Sequence, residues 1–175
     1  MDFNGKEISV KNTDITLSDV SFSYDKSETL QHISFRIPAK SFTAIVGPSG
    51  SGKSTLCHLI SRFWDVNHGS IKLGGIDIRD YTLDSLLANI SMVFQNVYLF
   101  QDSVINNIRF GKPNATMEEV EAAAKAACCH DFIMSFPNGY ETIIGEGGST
   151  LSGGERQRIS IARAILKNAP VIILD

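Results

Sequence analysis

A nine-residue segment with three glycines and a lysine carries the clearest chemistry in this sequence. GPSGSGKST, from Gly47 to Thr55, fits the phosphate-loop pattern G-x-x-x-x-G-K-[ST]. Glycine lets the backbone curl so that successive N–H groups point at one anion, and a following helix adds the positive end of its dipole. Lys53 supplies a charge for the β- and γ-phosphates, and the Ser54 hydroxyl is a ligand for Mg²⁺. The residues predicted to contact the nucleotide here are Gly47, Pro48, Ser49, Gly50, Ser51, Gly52, Lys53, Ser54 and Thr55.

This match is specific for phosphate binding but not for one reaction. Because glycine makes up about 7% of average sequences, a chance match should occur in roughly one per cent of chains of this length. The pattern does not separate kinases, GTPases and ATPases.

A second glycine-rich segment, LSGGERQR from Leu151 to Arg158, has the spacing of a helix start. Ser152 followed by Glu155 is the spacing of a capping box. Ser152, Gly153 and Gly154 would then cap a helix whose N-terminal amides are open to an anion. Taken alone, the segment is explained equally well by a capped surface helix.

The composition gives no indication of nucleic-acid binding, a histidine metal site, a disulfide scaffold or a membrane span. The chain of 175 residues has a formal net charge of −3 and therefore no overall basic field for nucleic acid. The four histidines show no metal-ligand spacing, and three cysteines favour a reducing compartment over a disulfide scaffold. We interpret Arg156, Arg158 and Arg163 as solvated or dimer-interface charges. No apolar run is long enough for a membrane span, and the N-terminus does not resemble a signal peptide.

The elements that must position these residues are predicted from apolar spacing. Near-alternating apolar residues over 15–24 and 33–37 indicate β-strands, and IKLGGIDI at 71–78 indicates a tight hairpin. The apolar run at 42–46 predicts a strand buried on both faces, just before the glycine-rich loop.

Helices are predicted from apolar residues at helical spacing and from their caps. Behind Lys53, one apolar face of a helix is formed by Leu56, Leu59, Ile60 and Phe63. A capping-box spacing at Thr116 opens a helix predicted to run to residue 129, and a helix behind Ser152 ends before Pro170 and strand 171–174. Strands that alternate with helices imply an α/β fold with a mainly parallel sheet and an antiparallel portion at the front.

The two glycine-rich segments together resemble the ATP-binding-cassette (ABC) ATPases, from about residue 15 onward. In this family the segment that LSGGERQR resembles is called the signature. The resemblance implies that two domains pair head-to-tail and that the signature of one domain covers the γ-phosphate of the ATP bound by the other. The signature residues that would contact ATP in this way are Leu151, Ser152, Gly153, Gly154 and Glu155. It also implies a P-loop NTPase core with an N-terminal antiparallel β subdomain and a helical signature subdomain.

Three further residues take roles from this resemblance. VSFSYD is similar to the stretch whose tyrosine, here Tyr24, stacks on adenine. Gln95, after ISMVF, resembles the glutamine that contacts Mg²⁺ and the attacking water, and VIILD places Asp175 in the magnesium shell. The resemblance therefore implies ATP and Mg²⁺ as cofactors, Ser54, Gln95 and Asp175 at the metal, and Lys53 and Gln95 in catalysis.

Two longer stretches resemble exporters rather than importers. LFQDSVINNIRFG at 99–111 is similar to an exporter loop and helix, and GYETIIGEGGSTLSGG at 139–154 contains Glu146 in a sensing position. In exporters both stretches contact the transmembrane domains. The resemblance thus implies transmembrane domains as partners and a place on the cytoplasmic face of the membrane, with the fragment itself soluble.

The resemblance also predicts how much of a nucleotide-binding domain residues 1–175 contain. Residues 1–175 would form one incomplete nucleotide-binding domain, with the antiparallel sheet and loop core at 15–95, the helical subdomain at 96–160 and a return to the core at 161–175. No residue is assigned as the catalytic glutamate or the switch histidine, so we expect slow ATP turnover. The alternatives are a nucleotide-binding module without hydrolysis and a soluble ABC ATPase of DNA repair or translation.

Overall fold

The computed structural model describes residues 5–8, 10, 12–25 and 28–175. The chain divides into two compact units. The first runs to Ile90 and includes Asp175, and the second comprises Ser91–Leu174. The subdomain boundaries predicted at 95 and 160 stay predictions.

The first unit contains a four-stranded antiparallel sheet in the order β2-β1-β3-β4. The strands are β1 (Ile15–Ser23), β2 (Glu28–Ile37), β3 (His68–Leu73) and β4 (Ile76–Asp77). The apolar residues of β1 that the spacing selected are buried: Ile15, Leu17, Val20 and Phe22. The predicted strands over 15–24 and 33–37 are therefore confirmed.

The hairpin between β3 and β4 has the two-residue turn that its glycines predict. Leu73 pairs with Ile76, which leaves Gly74 and Gly75 as the turn. Their φ angles are 61° and 85°, as a type I′ turn requires at both central positions. Glycine adopts this conformation without a steric penalty, and the hairpin is confirmed.

The strand predicted at 42–46 is wrong. The structure forms no strand over these residues, the Phe42 side chain is fully exposed, and Val46 is 88% exposed. A short apolar run only indicates that a segment could be buried, since a strand also needs a hydrogen-bonded neighbour. In the described structure no ladder reaches this segment.

Helix α1 (Lys53–Ile60) follows the glycine-rich loop. Its apolar face is confirmed at Leu56, Leu59 and Ile60, which are buried. The fourth predicted residue, Phe63, lies beyond the end of the helix and is 37% exposed, so the predicted face is one turn too long. A 3₁₀ turn over Ile78–Asp80 and α2 (Leu83–Ala88) complete the regular elements of the first unit.

The second unit combines a two-stranded parallel sheet with four helices. The strands are β5 (Ile90–Val93) and β6 (Val171–Leu174). The helices are α3 (Val104–Arg109), α4 (Met117–Ala126), α5 (His130–Met134) and α6 (Gly153–Lys167). One apolar cluster built largely from α3, α4 and α6 forms the core of this unit. The predicted α/β fold with an antiparallel sheet at the front and a parallel sheet is confirmed, although four of the six described strands belong to the antiparallel sheet.

Both predicted capping boxes are confirmed, at Thr116 for α4 and at Ser152 for α6. Helix α4 nevertheless ends at Ala126 rather than at residue 129. Cys128 has a φ of 54°, its N–H donates to Lys125 O, and the Cys129 N–H donates to Ala124 O at 2.8 Å. These bonds are a Schellman motif, which stops the helix by satisfying its last carbonyls.

Among the described residues no helix combines the length and hydropathy that a bilayer span requires.

Candidate functional site

The glycine-rich loop is curled at two glycines. Gly50 and Gly52 have φ angles of 79° and 87°, and the Ser51 N–H donates to Pro48 O at 3.3 Å. Gly52 is the N-cap of α1, and this helix start has no side-chain cap hydrogen bond. The first amides of α1 are thus left without a capping side chain, at the positive end of the helix dipole.

Lys53 folds back over this loop. Its Nζ donates to Gly47 O at 3.1 Å and to Pro48 O at 2.8 Å, and both contacts are exposed to solvent. These bonds hold the ammonium group at the mouth of the loop. The arrangement suits an anion, because the amides at the start of α1 and a positive charge lie on the same short segment.

Ser54 and Asp175 meet although they are 121 positions apart. The Ser54 hydroxyl donates to Asp175 Oδ1 at 2.6 Å. Hydroxyl and carboxylate oxygens are the hard ligands that Mg²⁺ prefers, so this pair fits the magnesium site expected of both residues.

The third predicted metal residue, Gln95, belongs to the second unit. It lies two residues beyond β5, and its side chain is exposed. Its place at a metal stays a prediction.

Tyr24 is held by three neighbours just beyond β1. Its hydroxyl donates to Thr55 Oγ1 at 3.3 Å. Its ring makes edge-on contacts with Phe22 at 4.9 Å and with Trp64 at 5.5 Å between centroids. Tyr24 is 46% exposed, so part of its surface remains open to a stacking partner.

Trp64 is a contact of the predicted adenine-binding residue that sequence reasoning missed. It is the single tryptophan of the chain, lies four residues beyond α1 and is 50% exposed. The available signal was a bulky aromatic residue directly after the helix that follows the phosphate loop, but only the fold shows what its ring contacts.

The start of α6 is closed by its own side chains. The Glu155 N–H donates to Ser152 Oγ at 3.3 Å, and Glu155 Oε2 accepts from the Ser152 N–H at 2.8 Å and from its hydroxyl at 2.7 Å. The Ser152 hydroxyl and amide lower the pKa of the Glu155 carboxyl. The prediction that the N-terminal amides of this helix are open is therefore only partly right. The capping box bonds the amides of Ser152 and Glu155, and it does not include the amides of Gly153 and Gly154.

The two signature glycines have no packing reason to be glycine. Both are exposed and helical. A Cβ at Gly153 would meet nothing nearer than Arg156 Nη2 at 3.9 Å, and one at Gly154 nothing nearer than Arg158 Nη1 at 3.6 Å. These are ordinary van der Waals distances to flexible side-chain ends. Leu151, just before them, is buried.

Arg156 is not the solvated charge that the sequence suggested. Its Nη1 donates to Leu151 O at 2.8 Å and to Gly148 O at 3.3 Å. It thereby ties α6 to the loop before the signature. In that loop Glu146 is exposed in a 3₁₀ turn over Glu146–Gly148.

Arg163 also departs from that expectation. Its Nε donates to Asn107 O at 2.9 Å, and its guanidinium lies 5.4 Å from the Phe110 ring and 5.9 Å from the Phe100 ring. Burial lowers the pKa of Arg163. The solvated interpretation is therefore wrong for Arg156 and Arg163.

Asn107 is a second residue that sequence reasoning missed. It is buried in α3, accepts from the Phe100 N–H at 2.9 Å and donates to Phe100 O at 3.0 Å and Ser103 O at 3.1 Å. One amide side chain thus fixes the backbone of the segment between Phe100 and Ser103. The signal available was that Asn107 falls at helical spacing from the apolar Val104 and next to Ile108, on the face that the helix buries.

Within the described part of the chain, no group of three or more His, Cys, Asp or Glu residues could hold a metal ion. The oxygen pair at Ser54 and Asp175 is a smaller set, which suits a metal that also takes ligands from phosphates and water.

Comparison with known proteins agrees with the two glycine-rich segments. The profile of the ABC transporter family matches residues 30–175. An ATP-dependent lipid A-core flippase of Desulfotalea psychrophila is 55% identical over 161 residues, 92% of this chain and 28% of the flippase. A Bacillus subtilis protein assigned to multidrug export as an ATP-binding/permease protein is 52% identical, again over 92% of this chain and 28% of its own.

A solved structure gives the same result. A bacterial Atm1-family ABC exporter with ATP bound superposes with a TM-score of 0.95 at 44% identity, over 98% of this chain and 30% of the exporter chain. The chain spans less than a third of the length of each of these three proteins.

Proposed function

The chain belongs to the ABC transporter family, and we propose that it is the ATP-binding part of an exporter. In this proposal the loop from Gly47 to Thr55 binds Mg-ATP, and the longer protein hydrolyses ATP between two such domains to drive transport. The resemblance to a flippase and to export proteins along almost the whole chain supports an exporter.

The observation that carries this proposal is the Ser54–Asp175 hydrogen bond of 2.6 Å. It brings the last carboxylate of the chain to the hydroxyl that follows the phosphate-binding lysine. A glycine-rich turn by itself has no use for a carboxylate, which would repel a phosphate. The pair makes sense when Ser54 and Asp175 together hold Mg²⁺, which when bound neutralises charge on the phosphate oxygens.

The other residues of the first unit supply binding and orientation. Lys53 exchanges its bonds to the carbonyls of Gly47 and Pro48 for the β- and γ-phosphates, because a phosphate oxygen carries more negative charge than a carbonyl. The open surface of the Tyr24 ring takes the adenine. Gln95 in the second unit is proposed to orient the attacking water.

The signature supports the proposal of a second copy. Replacing glycine by alanine, where the backbone angles suit alanine, stabilises a protein by about 0.4–1 kcal/mol. Among the described residues, no atom lies where it would exclude a Cβ at Gly153 or Gly154. We infer that the γ-phosphate end of an ATP held by another domain approaches this backbone, and that the signature residues Leu151–Glu155 form the second wall of that site.

The longer relatives support a proposal for the partners of this chain and for its location in the cell. We propose that the transmembrane domains of the exporter contact the stretches at 99–111 and 139–154 on the cytoplasmic face of the membrane. The relatives are named for lipid A-core and for multidrug export at similar identity. The ATP-binding sequence therefore does not determine the cargo.

A binding experiment tests the proposal. Titration calorimetry of the chain with Mg-ATP should give saturable binding, and Lys53→Ala should weaken it by about a hundredfold because the phosphate loses its counter-charge. Lys125→Ala is the matched control, since Lys125 pairs with Glu121 on the surface of α4. Equal affinity of wild type and Lys53→Ala would overturn the assignment of the loop.

Two further variants separate the metal from the phosphate loop. Ser54→Ala and Asp175→Asn should reduce the gain in ATP affinity that Mg²⁺ provides, while binding of ATP in EDTA changes little. If both variants respond to Mg²⁺ as the wild type does, the metal assignment is wrong. Turnover measured in the same samples should be very slow for the 175-residue polypeptide, in which no general base is assigned.

A further inference from the structure

The ring of Tyr24 is oriented by its aromatic neighbours more than by its hydroxyl. The distance from the Tyr24 hydroxyl to Thr55 Oγ1 is 3.3 Å, whereas bonds between two hydroxyl groups cluster near 2.7–2.8 Å. By contrast, the planes of Phe22 and Trp64 stand at 87° and 89° to the plane of Tyr24, at centroid distances typical of edge-to-face pairs.

The two neighbours are placed differently. Phe22 is buried in β1, two residues before Tyr24, which lies just beyond the end of that strand. Trp64 comes from the segment after α1 and contacts both rings of the β1 side, with a centroid distance of 6.4 Å to Phe22. Trp64 therefore closes the aromatic group from a second part of the chain, and that part continues directly from the helix of Lys53 and Ser54.

Trp64 leaves half of its own surface exposed in this position. A large apolar side chain gains most when it is fully buried, so packing alone explains this placement poorly. What the placement does accomplish is to restrict the Tyr24 ring while leaving that ring accessible. A ring that is already ordered loses less rotamer freedom when a flat ligand stacks on it.

We propose that Trp64 is a positioning residue for the nucleobase and acts through Tyr24. Trp64 holds the Tyr24 ring in the orientation in which a purine base can stack on it. It thereby increases the contribution of the base to the affinity for ATP. This inference rests on the proposed function, because it takes Tyr24 as the residue that contacts the base.

The test compares ATP with inorganic tripolyphosphate, which offers the phosphates without the base. Calorimetric affinities of the chain for both, each with Mg²⁺, define a ratio that reports the contribution of the base. We expect Trp64→Ala to lower this ratio about three- to tenfold and Tyr24→Ala to lower it about ten- to hundredfold. Trp64→Phe should recover most of the ratio, because a ring remains against Tyr24.

Two controls make the readout specific. In the Tyr24→Ala background, adding Trp64→Ala should not change the ratio further, since the residue through which Trp64 acts is gone. Tyr98→Ala removes an exposed, edge-packed aromatic residue of the second unit and should leave the ratio unchanged. Loss of folded protein would lower both affinities together and leave their ratio intact.

The outcomes separate this inference from the proposed function. If neither ATP nor tripolyphosphate binds the wild type, the phosphate-loop assignment fails. If both bind and Trp64→Ala keeps the wild-type ratio, the phosphate loop stands and the role of Trp64 is wrong. A further loss from Trp64→Ala in the Tyr24→Ala background would show that Trp64 contacts the nucleotide itself, which would overturn its action through Tyr24.

Discussion

The helix behind Gly52 and the helix behind Ser152 both begin in glycine-rich sequence, but their first turns are built differently. At α1 the glycines serve the backbone, since Gly50 and Gly52 take left-handed angles and no side chain caps the helix. At α6 the glycines are helical and exposed, and Ser152 and Glu155 cap the helix from both sides.

The difference shows what each segment provides. The first amides of α1 have no capping side chain, and the loop before them depends on glycine for its left-handed angles. The start of α6 is a fully capped helix end, and none of the described residues packs so closely that Gly153 and Gly154 must lack a Cβ. Similar composition therefore produces two different helix starts, one with left-handed glycines and no side-chain cap and one with helical glycines and a complete capping box.

Among the substitutions that test this difference between the two helix starts, Gly52→Ala is expected to change the free energy of unfolding the most. A Cβ there would lie 2.6 Å from Leu30 Cδ2 and 3.3 Å from Thr29 O, at a φ of 87°. Gly52→Ala should reduce the free energy of unfolding by about 2–4 kcal/mol, from backbone strain together with overpacking. Urea denaturation followed by circular dichroism measures this change.

Gly50 offers the matched control, because its φ is 79° but a Cβ there would meet nothing within 4 Å. Gly50→Ala should cost about 1–2 kcal/mol from backbone strain alone. Equal losses at the two positions would mean that contact with β2 does not shape the loop.

The middle effect concerns the cap of α6. Ser152→Ala should reduce stability by about 1 kcal/mol at pH 7, because the Glu155 amide loses its acceptor. The same denaturation experiment measures it, with Glu155→Gln as the companion variant, since glutamine also completes a capping box.

The pH dependence of this cap has a definite sign. The native pKa of Glu155 lies below its ordinary value of 4.5, first through the Ser152 hydroxyl and then through the Ser152 amide. The stabilisation is therefore fully present above about pH 4.5 and is lost as the pH falls through the native pKa. The gap between wild type and Ser152→Ala should narrow in acid, whereas Glu155→Gln should remove that part of the pH dependence. A gap that widens in acid would contradict the assignment.

The smallest expected change in the free energy of unfolding is an increase, at Gly154. Gly154→Ala should stabilise the chain by about 0.5–1 kcal/mol, because alanine reduces the freedom of the unfolded backbone and nothing near Gly154 obstructs a Cβ. The same substitution should weaken ATP-dependent association of two chains, measured by analytical ultracentrifugation. A destabilised Gly154→Ala would show that the signature glycines serve the fold after all, and the contrast between the two helix starts would disappear.

Several local features were predictable because their causes lie within a few residues. The Gly74-Gly75 turn and the two capping boxes depend on residues no more than three positions apart. The apolar alternation of β1 and the face of α1 follow in the same way from the periods of a strand and a helix. Prediction was less accurate where the outcome depends on a distant partner, as at 42–46, where an apolar run found no neighbouring strand.

The features of the candidate site also separate into those predictable from neighbouring residues and those that depend on distant ones. The sequence by itself predicted where a phosphate would bind and which residues would supply charge or oxygen ligands, since the spacing of Gly47, Lys53 and Ser54 fixes the loop locally. Only the tertiary structure decided that Asp175 reaches Ser54, that Trp64 packs on Tyr24 and that Arg163 lies against Asn107 rather than in solvent. The physical reason is that side chains far apart along the chain meet only when the whole core has packed, and no local period encodes those distances.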